Sequence, residues 1–107
     1  MSTLTIFIKM SKDKYSLNTT KSVDKKIRKL GKGNKRLDKE MRRTFKQLEK
    51  NPFYKSLKTH KVNTGKWGEA YSSRVTGDIR ILWYLYDKNL LILIIDIGGH
   101  SGSKSVY

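Results

Sequence analysis

The 107-residue sequence has no cysteine, which removes disulfide frameworks and thiolate metal sites. Histidine is nearly absent too, with only His60 and His100, and the nine Asp and Glu residues do not cluster. Neither a dedicated metal site nor a cofactor is expected from such a set. Apolar runs stay far short of the ~20 residues that a membrane-crossing helix needs. No basic-then-apolar leader pattern opens the chain, so a cytoplasmic protein without a membrane partner is expected. The Walker loop, the dinucleotide glycine pattern, HExxH and EF-hand spacing are all missing, and no nucleophile-elbow pattern frames a serine. Gly98-Gly99 follows a strand pattern, but no helix pattern comes next, which makes a poor phosphate cradle. No repeat or linker interrupts residues 1–107, which read as a single domain with one modest core.

What the chain has in excess is positive charge, +15 overall. Residues 1–60 hold 18 Lys and Arg against 5 Asp and Glu, a net of +13, while residues 61–107 hold 6 against 4, a net of +2. So uneven a distribution costs self-repulsion unless a polyanion neutralises it, and nucleic acid is the simplest such partner. A well-solvated lysine-rich surface is the alternative reading.

Taken in order, Leu4, Ile6, Ile8 and Met10 alternate with Thr3, Thr5, Phe7 and Lys9, the period of a strand. Residues 11–18 are polar and read as a loop. Thr19, Thr20 or Ser22 can cap a first helix carrying Val23, Ile27 and Leu30 on one face. Gly31-Lys32-Gly33-Asn34 ends it, and Asn34 can cap a second helix with Leu37, Met41, Phe45 and Leu48 on one face, stopped at Pro52. Residues 53–67 form a transition. Strands follow over 69–75, 79–86 and 90–97, separated by turns at Thr76-Gly77-Asp78 and Asp87-Lys88-Asn89. The run LLILIIDI is apolar at nearly every position and reads as a strand covered on both faces. The expected fold is α+β: an antiparallel β-sheet with an N-terminal α-helical hairpin packed on one face, in the order β-α-α-β-β-β.

The remaining chemistry is general acid–base work on a phosphodiester, assisted by Arg and Lys. RNA cleavage suits it. A base deprotonates the ribose 2′-OH, a cation stabilises the phosphate oxygens, and an acid protonates the departing 5′-oxygen. The nucleophile is already in the substrate, and imidazole suits either proton role.

The run LKTHKVNTGKWGEAYSSRVTGDIRILWYL, followed by a strand ending DIGGH and then VY, resembles the RelE/ParE toxin superfamily, and within it the YafQ-like and other RelE-type messenger-RNA interferases. The resemblance covers most of the chain. It implies roles for six residues. His60 matches the histidine that opens the family's central region. Arg74 falls where YafQ-like members carry a second histidine, and Asp78 matches their aspartate. Arg80 corresponds to the arginine after the Gly-Asp turn, and His100 to the C-terminal histidine, a proton-transfer candidate. Tyr107 matches the terminal aromatic that meets the substrate base. Arginine in place of histidine at 74 exchanges a proton-transfer group for a permanent cation. The stretch Ser101-Gly102-Ser103-Lys104-Ser105 lengthens the usual spacing between histidine and aromatic.

Plainer readings stand beside these. His60 also fits a surface histidine in a lysine-rich loop. Asp78 also fits a residue that only holds its turn, and Arg80 a structural ion pair with Asp78, Glu69 or Asp96. Trp67, Tyr71 and Trp83 read as packing. Lys55, Lys58 and Lys61 read as RNA or ribosome contacts, or as a solvated face. The resemblance implies a type II toxin that cuts messenger RNA in the ribosomal A site without a metal and is silenced by a cognate acidic antitoxin. The alternative is a ParE-like inhibitor that binds DNA gyrase and cleaves nothing.

Overall fold

The structure, a computed structural model, describes residues 14–99. The strand expected over 4–10, together with His100 and Tyr107, lies outside the described residues. Strand β1 (Ser16–Thr19) leads into helix α1 (Lys21–Gly31) and helix α2 (Lys35–Lys50). Strands β2 (His60–Thr64), β3 (Gly68–Arg74), β4 (Ile79–Tyr86) and β5 (Leu91–Gly99) follow.

The helices begin where hydroxyl and amide side chains replace the missing backbone acceptors. Thr20 accepts from Val23 N at 3.1 Å, and Asn34 accepts from Leu37 N at 3.0 Å. The link between them turns at Gly33, whose φ of 73° suits glycine. Asn51 closes α2, its N–H donating to Gln47 O, and the buried Pro52 follows.

The sheet runs β1-β5-β4-β3-β2. Strands β2 to β5 form an antiparallel meander, but β1 lies parallel to β5, with Ser16 opposite Leu91 and Thr19 opposite Ile94. The sheet is therefore mixed, where the sequence led to an antiparallel one. The α+β class and the helical hairpin on one face hold. The physical reason for the difference is local. Ser-Leu-Asn-Thr offers a single apolar residue and no alternation to read, so 16–18 look like loop. The segment becomes a strand by covering the free edge of β5, and Leu17 packs on the core. Strand β2 was hidden for a similar reason, since its residues are mostly exposed.

Both faces of the sheet bear apolar side chains. On one face Val23, Met41 and Leu48 of the helices pack against Ile81, Trp83, Ile92, Ile94 and Ile97. On the other, Ala70, Leu82 and Ile95 form a smaller cluster with Val62, Trp67, Tyr84 and Leu93. A bulge in β5 links the two. Leu82 faces Asp96 but Trp83 faces Ile94, so Ile95 is an extra residue. That shift returns Ile97 to the helix side and places Ile95 and Asp96 on the other.

Candidate active site

Alternation along the strands assigns each candidate to a face. His60 stands opposite Ser72, Ser72 opposite Leu82, and Leu82 opposite Asp96. This row lies on the face away from the helices. Two residues further along the same face, Arg74 of β3 is paired with Arg80 of β4. Neighbouring strands are about 5 Å apart and a two-residue step is about 7 Å, so the register puts His60, Arg74 and Arg80 on one face of the sheet, within two strands and one two-residue step of one another. Lys61 does not join them. Its side chain is on the helix side, with Nζ 5.9 Å from the Tyr71 ring centroid.

His60 is held by its approach segment. Residues Lys55–Leu57 form a short 3-10 helix closed by Lys58 in the left-handed conformation, φ 51°. That turn aims the Lys58 carbonyl at the imidazole, 2.9 Å from Nδ1. A carbonyl only accepts, so Nδ1 carries the proton, and in the neutral ring Nε2 is left as an exposed acceptor. Lys55 and Lys58 are exposed on the same segment.

A chain of side-chain bonds fixes this segment to the core. Trp83 Nε1 donates to Ser73 Oγ at 2.8 Å, and Thr59 Oγ1 donates to Pro52 O at 2.6 Å. The remaining Thr59–Ser73 contact, 2.6 Å, is then donated by Ser73, because the Thr59 proton is already used. The residue before His60 is thereby tied to Trp83, which is fully buried.

The Val75–Asp78 turn is stabilised by Thr76, whose Oγ1 accepts from Asp78 N at 3.2 Å and Ile79 N at 3.0 Å. Asp78 itself is exposed, and the side-chain bonds that shape the turn come from Thr76. The Arg74 guanidinium reaches back over this turn, 3.8 Å from where a Cβ would stand on Gly77. Gly99, the last described residue of β5, pairs with Ile79, the residue after Asp78. His100 is next in the sequence. Asp96, one expected partner for Arg80, is engaged elsewhere: Lys26 Nζ lies 2.6 Å from Oδ1, and Trp67 Nε1 donates to Oδ2 at 3.1 Å.

Two features went unread in the sequence. One is the buried Asp96–Lys26–Trp67 set, signalled only by a lone acid within LLILIIDI, since a buried carboxylate needs partners. The other is the geometry behind the packing expected of Tyr71 and Trp83: their rings stack with centroids 4.7 Å apart, and Phe53 meets Tyr71 edge-on at 5.4 Å. Among the described residues no group of three His, Cys, Asp or Glu is placed to hold a metal, and no helix is long and apolar enough to cross a membrane.

No protein-family model matches the sequence, and no curated protein matches it. Solved structures do match. The archaeal RelE–RelB complex from Pyrococcus horikoshii aligns with a TM-score of 0.62 at 23% identity, over 84% of this chain and 99% of that one. The YoeB/ParE toxin from Agrobacterium tumefaciens gives 0.65 at 16% identity, over 79% and 98%. The DinJ–YafQ toxin–antitoxin complex from E. coli gives 0.63 at 19% identity, over 81% and 93%. The architecture is thus that of RelE/ParE-type toxins. The YafQ structures from E. coli share the same fold.

Proposed function

We propose that this protein is a cytoplasmic type II toxin that cleaves messenger RNA in the ribosomal A site and is held inactive by a cognate acidic antitoxin. The observation that carries this reading is the placing of His60, Arg74 and Arg80 on one sheet face by the strand register, in a chain with the RelE/ParE toxin fold. In the proposed reaction His60 Nε2 takes the 2′-OH proton. The 2′-oxygen then bonds to phosphorus as the bond to the 5′-oxygen breaks. Arg74 and Arg80 stabilise the charge on the phosphate oxygens. His100 supplies the proton to the departing 5′-oxygen, Asp78 orients an imidazole, and Tyr107 meets the substrate base. The products are a 2′,3′-cyclic phosphate and a 5′-hydroxyl, and no metal enters because substrate and side chains supply every group. Analysis of fragment ends after incubation with translating ribosomes tests the chemistry. Cyclic phosphate ends are expected, and 3′-hydroxyl ends contradict attack by the 2′-oxygen.

The helical hairpin supplies the field that draws RNA in. Residues 21–50 contain 13 Lys and Arg against 4 Asp and Glu. The acids are largely occupied within the molecule: Asp24 accepts from Thr19, while Asp38 and Glu40 pair with Arg42 and Arg43. Lys55 and Lys58 extend the basic surface towards His60, and Lys61 extends it along the helix side of the same edge strand. Replacing the exposed Lys25, Lys29 and Lys39 together by glutamine should weaken RNA binding at every sequence. It should also lower the magnitude of the log–log salt slope by about 2, because each phosphate contact contributes ~0.7 through counterion release. Equal slopes for the variant and wild type would remove the hairpin from the interface.

A further inference from the structure

The face that carries His60 does not account for the Tyr71 stack on the helix side. There the β3–β4 ladder stops at Tyr71–Trp83. Beyond that pair, Glu69 and Ala70 remain bonded to β2, whereas Tyr84–Tyr86 remain bonded to β5. The two strands therefore part inside the sheet. Between them lies a groove of about 480 Å³ lined by Lys61, Glu69, Tyr71, Trp83, Tyr86 and Asp87, among others.

We infer that this groove is a nucleobase subsite, taking the base of a nucleotide that flanks the scissile one; the inference rests on the proposed RNA substrate. Four observations agree on a base. The volume is within the range of small-molecule sites. The Tyr71 ring is held on one side by its 4.7 Å stack on the cross-strand, fully buried Trp83. On the other side the flexible Lys61 side chain lies over it, Nζ 5.9 Å from the centroid, so a base can replace the lysine there, and such rings stack on any base. The ladder closes again at Tyr71–Trp83, so the opening is only about three residues long on each strand. That length is short for an added peptide strand but sufficient for one planar ring. Finally, two of the three charged residues that line the groove are carboxylates, which suits a base there better than a phosphate. Glu69 and Asp87 are acceptors suited to the amino and imino groups of a base edge, while Lys61, which lines the same groove and lies over the Tyr71 ring, can swing out on its flexible stem to the phosphate of the same nucleotide. His60 and Lys61 are consecutive residues on opposite faces of the edge strand β2, which has no strand beyond it among the described residues. An RNA strand passing over that edge can meet both.

The test uses two labelled oligonucleotides with 2′-O-methyl sugars, which cannot be cut. One carries bases, and the other has abasic sugars with the same number of phosphates. Binding is measured for wild type, Tyr71→Leu, Tyr71→Phe and Tyr86→Ala; Tyr86 is 45% exposed and tolerates truncation. Tyr71→Leu and Tyr86→Ala should weaken binding of the base-bearing strand by about tenfold or more and leave the abasic strand unchanged, and Tyr71→Phe should bind as wild type does. Equal loss on both strands, no loss on either, or loss of a protein partner with RNA binding intact would overturn the subsite. The cleavage reading is judged apart from it, because these oligonucleotides report no chemistry. A base-selective loss at Tyr71 in a protein that cuts no message keeps the subsite and rejects the nuclease; the reverse pair of results does the opposite.

Discussion

Replacing His60 by alanine is expected to slow messenger-RNA cleavage by about two to four orders of magnitude, the usual contribution of a positioned acid or base. The fold should be untouched. His60 is exposed, and its ring is bonded to the backbone carbonyl of Lys58, so its removal leaves no buried group without a partner. The melting curve should therefore overlay that of the wild type while single-turnover cleavage of a ribosome-bound message collapses. His100→Ala should behave alike, and toxicity should vanish with it. If His60→Ala cut at the wild-type rate, the base would have to be sought among other residues, and the lysine-rich surface reading of His60 would stand.

The second large effect concerns stability. Trp83→Ala should cost about 3–5 kcal/mol, as large-to-small changes at buried aromatics do. Trp83 is fully buried between the helix-side core and the Tyr71 ring. Its indole N–H also anchors the bonds that run through Ser73 and Thr59 to Pro52. Against a total stability of about 5–15 kcal/mol for a domain of this size, such a loss leaves little. The narrower change Ser73→Ala keeps the core volume but strands the indole N–H, for about 1–3 kcal/mol. Urea denaturation should rank the two variants in that order. A Trp83→Ala protein as stable as wild type would mean that the helix-side core does not depend on this residue.

Which parts of this fold could be read from the sequence follows from where the signals are strong. Val23, Ile27 and Leu30, and then Leu37, Met41, Phe45 and Leu48, recur at helical spacing between good caps. Both helices and the Asn34 cap were legible for that reason, whereas the first cap stood open among Thr19, Thr20 and Ser22 until the structure placed it at Thr20. The apolar density of 79–86 and 90–97 likewise marked the two most buried strands. Edge strands leave weaker marks. Ser16–Thr19 and His60–Thr64 each bury one face only partly, and their pairing is decided by what lies beside them, not by their own pattern.

The candidate site was legible as residue types and not as geometry. No local pattern says that His60 and Lys61 fall on opposite faces until β2 is known to be a strand. Nor does the sequence show Thr76, in place of Asp78, bonding the turn. The Ile95 bulge is a further case, because it needs the partner register to be visible. Asp96 was read as a possible partner for Arg80, yet the bulge turns it towards Trp67 and Lys26.

Whether this protein cuts messages is tested directly by one experiment. Wild type and His60→Ala are induced in parallel, and the 5′ ends of cellular messenger RNA are mapped after induction. New ends within codons of translated messages are expected for the wild type, and their disappearance is expected in the variant. Growth arrest with intact messages and altered DNA supercoiling would contradict cleavage and assign the protein to gyrase inhibition instead.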